Sequence, residues 1–335
     1  TGDTVTMNAD ATIGSVDIKG TLTTDGTART LTLDDGGQGY ICEHRGTVST
    51  TINLTINSNF AGDRLIRLNN GGNGNFNNVS ITLQSTSRKL TIGTEAASID
   101  GDLTITQGIF DTDTSNNYAL TVAGHCIVGD GAGSADTAVL TGNGSISMKS
   151  LVIKSDGKYD ATNQTTTING EGDGTGGSAN GFALYNENGT FTHNNGLVLI
   201  TTNTNTVIYG MEGDDTSGTG ANALNDLTIN LQGSNNYYCY LRPSSGTANT
   251  ILGDVTVTQG KFEKETNDHT LTINGNVIVS ANGTLGHADK TGNDNFGSLG
   301  IDTGGTFIAT SGTTTITAGG TVLGQSATAL TGNGT

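Results

Sequence analysis

Apolar and polar residues trade places along this chain at a period of two, in short bursts punctuated by Gly, Asn and Asp. Leu31-Thr32-Leu33, Ile52-Asn53-Leu54-Thr55-Ile56, Leu120-Thr121-Val122 and Leu271-Thr272-Ile273 are typical, and Leu197-Val198-Leu199-Ile200 is a denser one. Alternation of this kind builds a β-strand with one buried and one wet face. No window of eleven or more residues carries apolar spacing at i, i+3, i+4, i+7, so almost no α-helix is expected.

One burst is written twice. Gly101-Asp102-Leu103-Thr104-Ile105-Thr106-Gln107-Gly108-Ile109-Phe110 returns 152 residues later as Gly253-Asp254-Val255-Thr256-Val257-Thr258-Gln259-Gly260-Lys261-Phe262, with seven of ten positions identical. In both copies an apolar pair alternates with threonines, and Gln-Gly supplies a turn before the next inward aromatic. Ser150 through Ile168 recurs as Ser298 through Ile316, matching at ten of nineteen positions, and Phe76 through Gln84 pairs with Leu224 through Gln232. A weaker copy runs from Ile18 to Leu33. No Pro-rich or charged linker interrupts these blocks. The expectation is one continuous body over 1–335 built from a large repeat, with blocks at approximately 15–149, 150–297 and 298–335.

Composition narrows the architecture. With 52 Gly, one Pro, no Trp and 13% charged residues, the chain is a strand-and-corner sequence; Thr favours strands, and Gly and Asn supply corners. Two all-β folds fit. A single-stranded parallel β-helix (β-solenoid) needs only a thin apolar stripe, because every rung borrows its core from its neighbours. Tandem β-sandwich domains would each need a full core, which 5% aromatic residues fill poorly. The expected fold is therefore the β-solenoid, right-handed by the general crossover preference. A disordered chain, which the Gly content and the net charge of −17 would otherwise suggest, has no reason to keep the alternation. The first residue is not Met, and the chain is expected to be a fragment or a processed product. No run approaches the ~18 apolar residues of a membrane span, so no membrane insertion is expected.

The run from Gly101 through Thr112, then Ala119-Leu120-Thr121-Val122-Ala123-Gly124 and Gly304-Gly305-Thr306-Phe307, resembles the β-solenoid surface repeats of bacterial adhesins and surface filaments. It is equally similar to such repeats in tail-fibre or virion-surface proteins of environmental phages. The likeness covers most of residues 15–320 and marks a scaffold, not a chemistry. It implies an extracellular, cell-surface or virion-surface structural role and carries over no catalytic residue.

Chemistry must be sought in departures from the scaffold pattern. His44, His125, His193, His269 and His287 are scattered, and none lies at metal-ligand spacing from another His or Cys. Cys42, Cys126 and Cys239 form no CxxC pattern and sit in apolar settings, so they read as inward core thiols. No Ser/His/Asp order, HExxH or phosphate loop is present. Asp111, Asp113 and Ser115 place three oxygen side chains together, a candidate Ca²⁺ site. It lacks the Gly and Glu of an EF-hand loop, and solvated turn carboxylates are the simpler reading. No other cofactor is expected. In the aromatic stretch Asn235–Pro243, inward Cys239 and Leu241 would turn Tyr238, Tyr240 and Arg242 outward. Those three are the candidate glycan-binding residues, and an aromatic ladder covering the side of the solenoid is the competing reading.

The acidic balance argues against nucleic acid or an anionic membrane surface as a partner. Two functional classes survive. The first is a non-enzymatic subunit of an extracellular or virion-surface fibre or filament, self-associating head to tail and possessing adhesive capacity toward surface glycans. The second is a tailspike-like protein that binds or degrades polysaccharide. Degradation needs paired carboxylates in an aromatic-lined groove, and charges here are sparse, so the structural class is expected. Strand-like sequence continues at residues 1–14 and 319–324, so the end rungs are expected to meet each other.

Overall fold

A computed structural model describes residues 2–34, 39–58, 62–69, 74–172, 181–211, 222–243, 248–265, 268–286 and 288–317. His287 and the 319–324 segment lie outside the described residues. The chain divides into two compact units, Thr1–Gln164 and Thr165–Thr335. Among the described residues there is no helix; short parallel strands stack into a β-solenoid of about 11 turns. An isolated antiparallel bridge joins Gly172 and Phe182. The parallel stacking overturns the tandem-sandwich alternative. Sandwiches are assembled from antiparallel strands, whereas here each turn is too thin to enclose a core and closes over its neighbour instead.

In the first unit, Leu31, Leu54, Val79, Leu103, Cys126 and Leu151 lie directly on one another in successive rungs. Leu33, Ile56, Ile81, Ile105, Val128 and Ile153 form a second row beside them, and all twelve are buried. The alternate positions Thr32, Thr55, Ser80 and Thr104 make the outward row. The second unit repeats the device with Val198, Leu227, Val255, Val277 and Leu299. Burying one such side chain is worth about 1.5–3 kcal/mol, so the rows outweigh any single polar contact. Turn length varies: Thr4 lies on Thr21, whereas Thr206 lies on Cys239.

The duplicated segment has the same place in both units. Leu103–Asp111 and Val255–Lys264 are single strands that turn a corner between two lateral rows. Leu103 pairs with Cys126 in one row and Phe110 with Leu140 in the next. The corner falls at Gly108 and Gly260, with φ of 92° and 89°, a conformation that glycine adopts without steric cost.

A side-chain ladder locks the entry to that strand. Asn53 Oδ1 accepts the Asn78 backbone N–H at 3.3 Å, Asn78 Oδ1 that of Asp102 at 2.8 Å, and Asp102 Oδ1 that of His125 at 2.7 Å. In the second unit Asp226 Oδ1 accepts the Asp254 N–H at 2.8 Å and Asp254 Oδ1 the Asn276 N–H at 2.6 Å. Each rung's Asx oxygen thus satisfies a backbone donor of the next, at a corner where the parallel sheet cannot.

Asp156 anchors the loop over residues 129–137. Its carboxylate accepts the N–H groups of Gly131 at 2.7 Å and Asp130 at 3.3 Å, and the Thr137 hydroxyl at 3.2 Å. Burial acts to raise this carboxyl, but the Gly131 and Asp130 donors outweigh it and hold it below its ordinary value. A depressed carboxyl stabilises the fold above its unfolded value and loses that contribution as pH falls through the folded one. Asp156→Asn is therefore expected to cost about 1–3 kcal/mol at neutral pH. In melting curves taken across an acid series, the gap to the parent protein should close below the carboxylate range.

Candidate functional site

One lateral row distinguishes the two units. In the first unit it carries ion pairs. Glu43 bonds both Arg45 and Arg67, Arg67 lies 4.3 Å from the Tyr40 ring centroid, and Lys89 Nζ reaches Asp111 Oδ2 at 3.0 Å. In the second unit the corresponding row is aromatic. Gly181–Asn186, Thr206–Tyr209 and Tyr238–Arg242 are successive parallel strands. Tyr185 lies on Tyr209, and their rings stack at 4.9 Å and 23°. Phe182 packs against both, at 4.7 Å and 5.8 Å. On the next rung Tyr238 and Tyr240 stack at 5.4 Å with planes only 5° apart.

The strand Tyr238–Arg242 has Cys239 and Leu241 buried, with Tyr238, Tyr240 and Arg242 half-buried on the outer side. The three residues singled out in the sequence therefore share one face. Their partners come from elsewhere in the chain. Arg242 makes a bidentate pair with Glu265. Lys261 Nζ donates to the Tyr238 hydroxyl at 3.0 Å and lies 4.5 Å from that ring's centroid. Burial raises the Tyr240 hydroxyl above its ordinary value, and the nearby Glu263 and Glu265 carboxylates reinforce this.

Comparison with family models, curated proteins and solved structures finds no match. The chain's own geometry must carry the functional reading.

Asp111, Asp113 and Ser115 lie on one loop, with most of their oxygens engaged. Asp111 is buried; it accepts from Lys89 Nζ and from the Asp113 N–H at 2.8 Å. Asp113 accepts the Ser115 N–H at 2.8 Å and the Asn116 side-chain amide at 2.7 Å. Burial would raise the Asp113 carboxyl, but the Asn116 and Ser115 donors lower it overall. The three form a self-capped turn, and the described residues contain no cluster of three or more His, Cys, Asp or Glu able to hold a metal.

Cys42, Cys126 and Cys239 are buried and unpaired by disulfide. Burial pushes the first two thiols up to about 12 and raises the third as well, so none is a ready nucleophile. His125 Nδ1 sits 2.7 Å from Ser150 Oγ, a contact that outwardly suggests an activated serine. Ser150 is fully buried, however. At the corresponding rung of the second unit, Ser298 donates to Asn276 Oδ1 at 2.7 Å instead. The position belongs to the corner ladder. Among the described residues no helix is long and apolar enough to cross a membrane.

The sequence alone does not bring Phe182 and Tyr185 to Tyr209, or Lys261 to Tyr238. The stacked pair Tyr185 and Tyr209 is one rung apart, a spacing that becomes visible only once turn lengths are known.

Proposed function

We propose that this chain is a non-enzymatic structural subunit of an extracellular or virion-surface fibre or filament, built by head-to-tail contact between solenoid ends. The observation that supports it most directly is the first turn. Thr4–Met7, Ala11–Ile13 and Val16–Ile18 pair onward with Thr21–Thr24, Arg29–Leu33 and Tyr40–His44. Their other edges have no strand partner among the described residues. Between them opens an apolar mouth of about 410 Å³ lined by Val5, Met7, Ile13, Val16, Ile18 and Leu22. Val5 and Ile13 are 60% and 40% exposed. Strand edges around exposed core are a template for another β-rung, supplied by a further segment of the same protein or by a second copy, and contact of the second kind is heterologous and propagates into a filament. Continuous inward rows and side-chain-capped corners suit a stiff, protease-resistant element.

Sedimentation velocity over a concentration series tests this. The parent chain is expected to form polymers that grow with concentration, and Val5→Lys with Ile13→Lys is expected to abolish them while leaving the β-sheet spectrum intact. A monomer that persists at high concentration would sink the proposal.

A further inference from the structure

We infer that the aromatic row of the second unit is a binding surface for an uncharged polysaccharide. Tyr185, Tyr209, Tyr238 and Tyr240 are half-buried, so part of each tyrosine side chain remains open to solvent. A tyrosine side chain offers apolar surface to sugar C–H groups and a hydrogen-bonding group to sugar hydroxyls. Tyr185 and Tyr209 stack on successive rungs, and Tyr238 and Tyr240 pair side by side on the strand of the next rung, an arrangement that suits an extended chain-like ligand lying across several turns.

Two observations make this more than a covering layer. The corresponding row of the first unit carries ion pairs around Glu43, Arg67 and Lys89, with Tyr40 beside Arg67, so the solenoid does not need stacked aromatics there. The two cations beside the rings are also already engaged. Arg242 is engaged by Glu265, and Lys261 is held against Tyr238. Glu263, almost fully buried, lies next to Tyr240 in the register. A polyanion such as nucleic acid needs cations free to replace its counterions. This surface, on a chain of net charge −17, supplies none in excess. A neutral glycan asks for no such compensation. The inference is independent of whether the solenoid ends assemble.

Affinity electrophoresis through gels containing hydroxyethyl cellulose, galactomannan or dextran tests it, with alginate and a thymidine oligonucleotide as charged comparators. Retardation by at least one neutral polymer is expected. Tyr209→Ala with Tyr240→Ala should weaken it roughly tenfold or more, the usual scale for losing anchoring tyrosines. Because removing stacked rings can also loosen the strands, Tyr209→Phe with Tyr240→Phe provides a second arm. It keeps the stacking, removes the hydroxyls and should still weaken retardation measurably. Absence of retardation by all three neutral polymers, equal retardation of the parent and Phe variants, or binding confined to alginate or the oligonucleotide would each overturn the assignment.

Discussion

Lys264→Met is expected to destabilise the second unit by about 3–5 kcal/mol, the usual consequence of leaving one buried charge without its partner. Lys264 follows Leu184, Ile208 and Leu241 in an inward row, and its side chain is 3% exposed, as is that of Asp294. Its ammonium reaches Asp294 Oδ1 at 2.9 Å, Gly292 O at 3.0 Å and Asn293 O at 3.2 Å. Those contacts use all three ammonium donors. Burial raises the Asp294 carboxyl, and Lys264 pulls it back only in part, so it stays above its ordinary value. A raised carboxyl contributes most below its unfolded value and loses that contribution as pH rises through the folded one. Without Lys264 the upward push is larger still. The cost of Lys264→Met should thus be greatest near neutral pH and shrink as acid neutralises Asp294. Lys264→Met with Asp294→Leu should recover most of the loss, since well-packed apolar pairs often replace buried ion pairs at little cost. Thr112, at the corresponding position of the first unit, is fully buried and uncharged. Denaturation midpoints at several pH values decide the matter: a pH-independent cost, or a double variant no better than the single one, would refute this account.

Legibility in the sequence tracks distance along the chain. Alternation within one strand is local, so the inward Leu103 and Ile105, the buried cysteines and the outward Tyr238, Tyr240 and Arg242 all follow from a period of two. The duplicated segment also marks equivalent corners in the two units. Contacts between rungs are different in kind. Whether Arg242 meets Glu265, or Tyr185 meets Tyr209, depends on how many residues each turn consumes, and Gly/Asn-rich corners absorb insertions without leaving a periodic trace. Glu263-Lys264-Glu265 reads as a solvated charged turn. It is in fact a strand end that sends Lys264 inward and Glu265 outward to Arg242, with Glu263 beside Tyr240. The calcium candidate shows the same limit, because the donors that engage Asp111 include Lys89, a residue of the preceding rung.

The Gly-Asp pair that opens the duplicated segment yields the sharpest test of the corner ladder. A Cβ at Gly253 would land on Asp226 Oδ1, the atom that accepts the Asp254 N–H, while staying 3.0 Å from the Asn225 carbonyl oxygen. A Cβ at Gly101 would land on Asn78 Oδ1 and also stand only 2.6 Å from the Asn77 carbonyl oxygen. In the first case the obstacle is mainly a side chain that can rotate away, forfeiting a hydrogen bond to a charged group worth about 1.5–3 kcal/mol. In the second it includes backbone that is itself fixed by the Gly101 N–H to Asn77 O bond, so strain adds about 1–3 kcal/mol more. Gly101→Ala should consequently be the more damaging of the two, although both alter the same motif. The couplings should differ as well. Gly253→Ala added to Asp226→Ala should cost little beyond Asp226→Ala alone, because the obstructing atom is already gone. Gly101→Ala added to Asn78→Ala should remain costly. Equal losses for the two glycine variants, or simple additivity at Gly253, would show that the Asx oxygens do not dictate glycine at these corners.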